Sequence, residues 1–148
     1  MNRIVEGAIK SSFGAVAYRH TNAGSTLPKM LLCHGWQDHL GIFEPLSKHL
    51  NDRFELFAFD YPGHGRSDHV TWPSNYGHSE QLKLVHEIRH HLKWDEMSIV
   101  AHSWAGNSLT PYVCMYPEAI THYVMLDAYG QGFYRPRTCE SLIFPYLP

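Results

Sequence analysis

Ser103 is the residue best placed for nucleophilic chemistry. It follows the apolar run at 97–100, stands between Ala101 and Ala105, and precedes a helix-like segment at 108–116. A serine on a sharp strand-to-helix turn is held in a strained backbone conformation. The residues two before and two after it must be small, because strand and helix nearly touch there. The turn lifts the hydroxyl clear of the sheet. Here the pattern is A-x-S-x-A in place of the usual G-x-S-x-G. A serine that merely ends a core strand is the competing account of the same residues.

An attacking serine needs donors for the oxyanion it creates. The loop His34-Gly35-Trp36-Gln37 follows the apolar run at 30–33, and its glycine lets the chain turn sharply, freeing the next amide. The backbone N–H groups of Trp36 and Trp104 are therefore the candidate oxyanion donors; losing one such donor costs about 3 kcal/mol of transition-state stabilisation. A third loop, Asp60-Tyr61-Pro62-Gly63-His64-Gly65-Arg66-Ser67, has the glycine and proline content of a tight connection beside the site, and His64 is read as structural. Asp127, after the apolar run at 123–126, is a candidate acid, with a loop-structural role as the alternative.

A serine hydroxyl is a weak nucleophile without a base in hydrogen-bond reach. After Ser103 the sequence holds one histidine, His122, which falls at the start of the 123–126 strand and so at the sheet end opposite Ser103. His102 is a neighbour in sequence, but strand and elbow geometry are expected to direct its ring away from the hydroxyl. This stretch alone is expected to hydrolyse esters slowly or not at all.

A second pattern is His86-Glu87-Ile88-Arg89-His90, which matches H-E-x-x-H, the helical arrangement in which two histidines hold zinc and the glutamate activates water. The same helix buries Val85, Ile88 and Leu92, leaving both histidines on the flank, and a chain with 12 histidines matches such a pattern easily by chance. The segment is read as a surface crossover helix, with no metal and no organic cofactor required. Cys33, Cys114 and Cys139 lack C-x-x-C spacing and fit reduced thiols in an intracellular compartment, with Cys33 packed in a strand.

The elements that must position these residues follow from periodicity. Residues 5–10 and 14–20 read as an antiparallel edge hairpin, and the runs at 30–33, 54–59, 97–100 and 123–126 as buried strands. Apolar residues at helical spacing predict helices over 40–50 and 79–92. That alternation predicts an α/β fold with a mostly parallel sheet, helices on both faces and the functional loops at the carboxyl ends of the strands. Residues 129–148 read as loop and apolar tail, the start of a lid, which leaves the 123–126 strand as an unpaired apolar edge prone to association.

With 148 residues and a net charge of −2, the chain is a single domain's worth without the concentrated positive charge that nucleic-acid binding needs. No apolar stretch approaches membrane-span length and residues 1–10 lack a signal-peptide core.

His34-Gly35-Trp36, the 60–67 loop, the elbow at Ser103 and Val124-Met125-Leu126-Asp127, in this order and spacing, resemble the first half of an α/β-hydrolase. Within that superfamily the wording of 34–36, 87–89 and 92–94 resembles the serine hydrolase-like proteins. The resemblance covers about residues 30–130 of a partial domain at 1–148. It implies Ser103 as nucleophile, the Trp36 and Trp104 amides as oxyanion hole, a small hydrophobic ester or acyl substrate, and an acid and a histidine on loops after later strands. It implies a cytoplasmic, peroxisomal or vesicular site. A catalytically inactive fragment or pseudoenzyme of the same fold is the alternative, ahead of a cofactor-free dioxygenase or an H-E-x-x-H peptidase.

Overall fold

Short β-branched and aromatic runs separated by amphipathic stretches assemble into one sheet covered by helices. The computed structural model describes residues 3–70, 76–128, 132–135 and 140–142. Strands β1 (Ile4–Ser11) and β2 (Gly14–Thr21) form the antiparallel hairpin, and β2 then pairs antiparallel with β4 (Glu55–Phe59). Strands β4, β3 (Lys29–Cys33), β5 (Met97–His102) and β6 (Ile120–Leu126) lie side by side and parallel. The full order is β1-β2-β4-β3-β5-β6-β7-β8.

The parallel strands are buried on both faces, which is why they read as continuous apolar runs. Alternate residues go to opposite layers. Leu31, Phe57, Ile99 and Tyr123 pack with Leu84, Val85 and Ile88 of α2 (His78–Leu92) and with Leu109, Tyr112 and Val113 of α3 (Trp104–Met115). On the other face Met30, Leu32, Leu56 and Val100 pack with Phe43, and Leu46 and Leu50 of α1 (Glu44–Leu50) are partly buried against them.

Three expectations change. The helix expected over 40–50 is divided, with a 3-10 turn at Leu40–Phe43 leading into α1. Pro45 has no N–H to offer the Gly41 carbonyl, so that oxygen takes the tighter bond from the Glu44 amide. The expected short helix at 108–116 starts at Trp104, directly on the elbow.

The 123–126 strand is not an unpaired edge: β7 (Gly132–Arg135) turns back antiparallel onto β6, and β8 (Glu140–Leu142) onto β7. The rest of the segment read as lid and tail, with Cys139, lies outside the described residues.

At the sheet end away from Ser103, one buried carboxylate ties four segments together. Glu55, 2% exposed on its side chain, accepts hydrogen bonds from Lys29 Nζ at 2.5 Å, His20 Nε2 at 2.8 Å, the Gly24 amide at 3.2 Å and Ser25 Oγ at 3.2 Å. Burial raises the Glu55 pKa, but the Lys29 hydrogen bond, the Gly24 amide and His20 outweigh it and hold the carboxyl below its ordinary value. Burial lowers the pKa of His20 despite its bond to Glu55, so the ring serves as a neutral donor and Lys29 carries the balancing charge.

Removing the carboxylate takes the shared acceptor from four donors, and Glu55→Ala is expected to cost about 1–3 kcal/mol in urea unfolding. A cost under about 1 kcal/mol would mean the cluster is dispensable.

Candidate functional site

The elbow is present in backbone geometry. Ser103 has φ 51° and ψ −119°, a region that a non-glycine residue occupies at a cost of about 1–3 kcal/mol. Three hydrogen bonds hold it there: the Ser103 amide to the Leu126 carbonyl at 2.8 Å, and the Gly106 and Asn107 amides to the Ser103 carbonyl at 3.0 and 3.4 Å. Ala101 and Ala105 are fully buried beside it.

A close approach lies one residue further on. A Cβ on Gly106 would come within 2.8 Å of the Ala128 Cβ, so it is Gly106 that lets α3 settle over the end of β6. Gly106 was not singled out in the sequence, because only the folded β6 brings Ala128 beside it.

Ser103 sits at the N-terminus of α3, where first-turn amides have no acceptor within the helix and the dipole favours negative charge. The Trp104 N–H belongs to that turn. Trp36 comes to the same place from the loop after β3: the Trp36 and Trp104 rings meet edge to face with centroids 5.1 Å apart. A Cβ on Gly35 would lie 3.1 Å from Ser103 Cβ, so loop 34–37 runs directly against the elbow.

The loop owes its shape to His34. This ring is fully buried, with Nδ1 bonded to the Gly35 carbonyl at 2.7 Å and Nε2 accepting the Tyr61 amide at 3.0 Å. An acceptor at one nitrogen and a donor at the other fix a neutral tautomer with the proton on Nδ1. Burial pushes the His34 pKa down to about 4, in keeping with that assignment. His34 thus locks the loop after β3 to the loop after β4.

Asp60 does the same for the second loop. Its Oδ1 accepts the Leu40 amide at 2.7 Å, its Oδ2 the Arg66 amide at 2.9 Å, and its backbone carbonyl accepts Ser67 Oγ at 2.6 Å. Gly65, at φ +51°, leaves no room for a side chain, since a Cβ would fall 2.2 Å from the Asp60 carboxyl carbon. His64, read as structural, bonds Pro62 O through Nδ1 at 3.0 Å, while its ring packs on both Trp36 and Trp104. An apolar hollow beside Trp104 is lined by Phe13, Tyr61, Pro62, Tyr76 and Leu84.

The remaining candidates divide. Asp127 lies at the same sheet edge as Ser103, at φ 49° and exposed, and among the described residues no imidazole is hydrogen-bonded to its carboxylate. His122 is at the far end of the sheet, 3.4 Å from Ser98 Oγ. Among the described residues no imidazole is hydrogen-bonded to the Ser103 hydroxyl.

In the H-E-x-x-H segment, His86 and His90 pack against each other at 4.3 Å and His86 stacks on Tyr116 at 5.2 Å. Glu87 is engaged elsewhere, accepting the Ser12 amide at 3.0 Å and Ser12 Oγ at 2.5 Å. Its carboxylate holds the β1–β2 turn rather than facing the histidine pair. Among the described residues no three side chains of metal-ligand type converge on one point. Cys33 is buried, and burial pushes its thiol up to about 12, a packed and unreactive group.

Residues 28–144 match the profile of the α/β hydrolase fold family. The chain is 34% identical over 108 residues to a serine hydrolase-like protein of Danio rerio, covering 72% of this chain and 33% of that protein. It is 31% identical over 100 residues to a serine hydrolase-like protein of Homo sapiens, covering 68% of this chain and 49% of that protein. A solved CIB-like hydrolase from Thermoplasma acidophilum superposes with a TM-score of 0.74 at 16% identity, over 86% of this chain and 64% of that one. The chain belongs to the α/β-hydrolase family, a hydrolase lineage, and spans between a third and a half of the length of these curated relatives. No helix among the described residues is long and apolar enough to cross a membrane.

Two outcomes follow from the loop anchors. Because the folded His34 resists protonation, the unfolded chain binds the extra proton between about pH 6.5 and 4, and stability falls as pH drops through that window. The slope from this group is at most about 1.4 kcal/mol per pH unit, and His34→Gln is expected to flatten it in urea titrations at stepped pH. Gly65→Ala is expected to lower stability by about 1–3 kcal/mol in thermal unfolding, since its strained φ and the Asp60 clash act together.

Proposed function

We propose that this chain carries the nucleophile and oxyanion-binding half of a serine ester hydrolase. The elbow backbone at Ser103 carries the reading: a serine at φ 51° on a helix N-terminus, facing a glycine turn, is costly to maintain as mere packing. In the reaction Ser103 Oγ attacks the carbonyl carbon, and the Trp36 and Trp104 amides receive the negative oxygen. The hydroxyl proton passes to a histidine that then returns it to the leaving alkoxide, and water repeats the cycle on the acyl-enzyme.

The exposed face of Trp36 beside the elbow suits a small hydrophobic ester or acyl group. Relatives named serine hydrolase-like protein support the hydrolytic class. Asp127 is the acid candidate within this sequence. The elbow, hollow and loops work without metal or organic cofactor in this mechanism.

A second reading is favoured by a specific observation. Since no described imidazole reaches Ser103 Oγ, the same architecture serves equally a catalytically inactive member that binds an acyl group without turning it over.

Fluorophosphonate labelling separates the two. On the hydrolase reading Ser103 labels, Ser103→Ala does not, and added imidazole, acting as an external base on residues 1–148, accelerates labelling at least tenfold. Labelling that is equal in the Ser103→Ala variant, or absent even with imidazole, leaves the binding protein.

A further inference from the structure

We propose that Asp38 and His102 form a clamp between the oxyanion loop and the elbow, with His102 as a positioning residue whose protonated ring draws loop 34–38 onto Ser103. The catalytic purpose of the clamp rests on reading residues 34–37 as the oxyanion loop; the clamp itself rests on geometry alone.

His102 ends β5, immediately before the nucleophile. Its Nδ1 is buried and has no hydrogen-bond partner among the described residues. Asp38 Oδ2 stands 3.9 Å from that nitrogen, too far for a hydrogen bond and close enough for attraction between full charges. The other carboxylate oxygen, Oδ1, is already occupied by the His39 amide at 2.9 Å, which leaves Oδ2 for the imidazole.

Gln37, at φ 57°, turns the chain so that Asp38 comes back over the strand end. Gly35 packs directly against the strand end, where a Cβ would lie 3.0 Å from His102 Nδ1 and 3.1 Å from Ser103 Cβ. The 3.9 Å separation of His102 and Asp38 exceeds hydrogen-bond length by only about 0.7 Å.

The other ionisable groups near the pair are His34, Asp127 and His64. His34, which forms the base of the loop, is buried and held neutral by its own two bonds. On the adjoining strand the register partner of His102 is Leu126, and the next residue, Asp127, is exposed. His64 directs Nδ1 to Pro62 O. With side chains 32% and 24% exposed, His102 and Asp38 are partly screened, and a pair of this kind biases a two-state loop by about 1.5- to 5-fold. The sign is fixed by charge: a cationic ring at His102 attracts the Asp38 carboxylate and favours the closed loop, and a neutral ring does not.

The test is an NMR pH titration of the folded chain between about pH 5 and 8, the interval in which imidazoles change charge. The readouts are the backbone amides of Gly35, Trp36 and Gln37, the His102 ring and the Asp38 carboxylate carbon. The loop amides are expected to move with the same midpoint as the His102 ring, and that movement to shrink at least twofold in Asp38→Asn and His102→Gln. The double variant should add nothing further, since both changes remove one interaction. His102→Arg, a permanent cation, should hold the loop signals at their low-pH positions throughout, and it keeps the test valid if His102→Gln fails to fold.

Loop titration that persists unchanged in His102→Gln, or loop signals that still titrate in His102→Arg, would overturn the clamp and pass the effect to His39 or His64. None of these readouts needs ester hydrolysis. Absent fluorophosphonate labelling alongside an intact clamp therefore sinks the hydrolase reading alone.

Discussion

The loops around Ser103 depend on a single buried imidazole. His34 donates to the carbonyl of the next residue and accepts an amide from the chain leaving β4, and in doing so it fixes two loops that the sequence separates by some 27 residues. A ring that donates at one nitrogen and accepts at the other cannot be replaced by an apolar group of the same volume, because both backbone partners would be left buried and unsatisfied. Neutrality is part of the device: a proton on Nε2 would confront the Tyr61 amide with a second donor. The shape of loop 34–37 is thus set by the tautomer of a residue beneath it.

Strain and compensation are distributed around that anchor. Ser103 sits in a costly conformation that bonds to Leu126, Gly106 and Asn107 help maintain, while Asp60 and Gly65 shape the adjoining loop with amide-to-carboxylate bonds. At the other end of the sheet the Glu55 cluster joins the hairpin, the 22–25 loop and the first residues of β3 and β4. Polar groups are buried at both ends of the parallel strands and apolar side chains fill the middle, so each end is fixed by directional bonds and the centre by packing.

Periodicity made much of the fold legible. The hairpin, four buried strands and the crossover helix at 78–92 are local patterns, set by side-chain alternation and by helical spacing of apolar residues, and they occur where the sequence places them. The pairing of β7 and β8 was not legible, because Gly132–Arg135 and Glu140–Leu142 are too short to carry a period and their order depends on the open edge of β6. The H-E-x-x-H pattern shows the converse. Its spacing is local and suggestive, yet Glu87 finds its partner in Ser12, 75 residues away, which no spacing rule anticipates.

By itself the sequence determined the hairpin, the four buried strands and the crossover helix, the small residues around Ser103, and the position of a glycine turn after the first parallel strand. These are properties of residue type and near neighbours. Only the tertiary structure decided that a side chain at Gly106 would meet Ala128, that His34 is neutral with its proton on Nδ1, and that His102 stands within 3.9 Å of Asp38. Each of those outcomes depends on which atoms distant strands bring together. A directional bond or a contact distance between remote segments has no counterpart in local sequence pattern until the sheet is assembled.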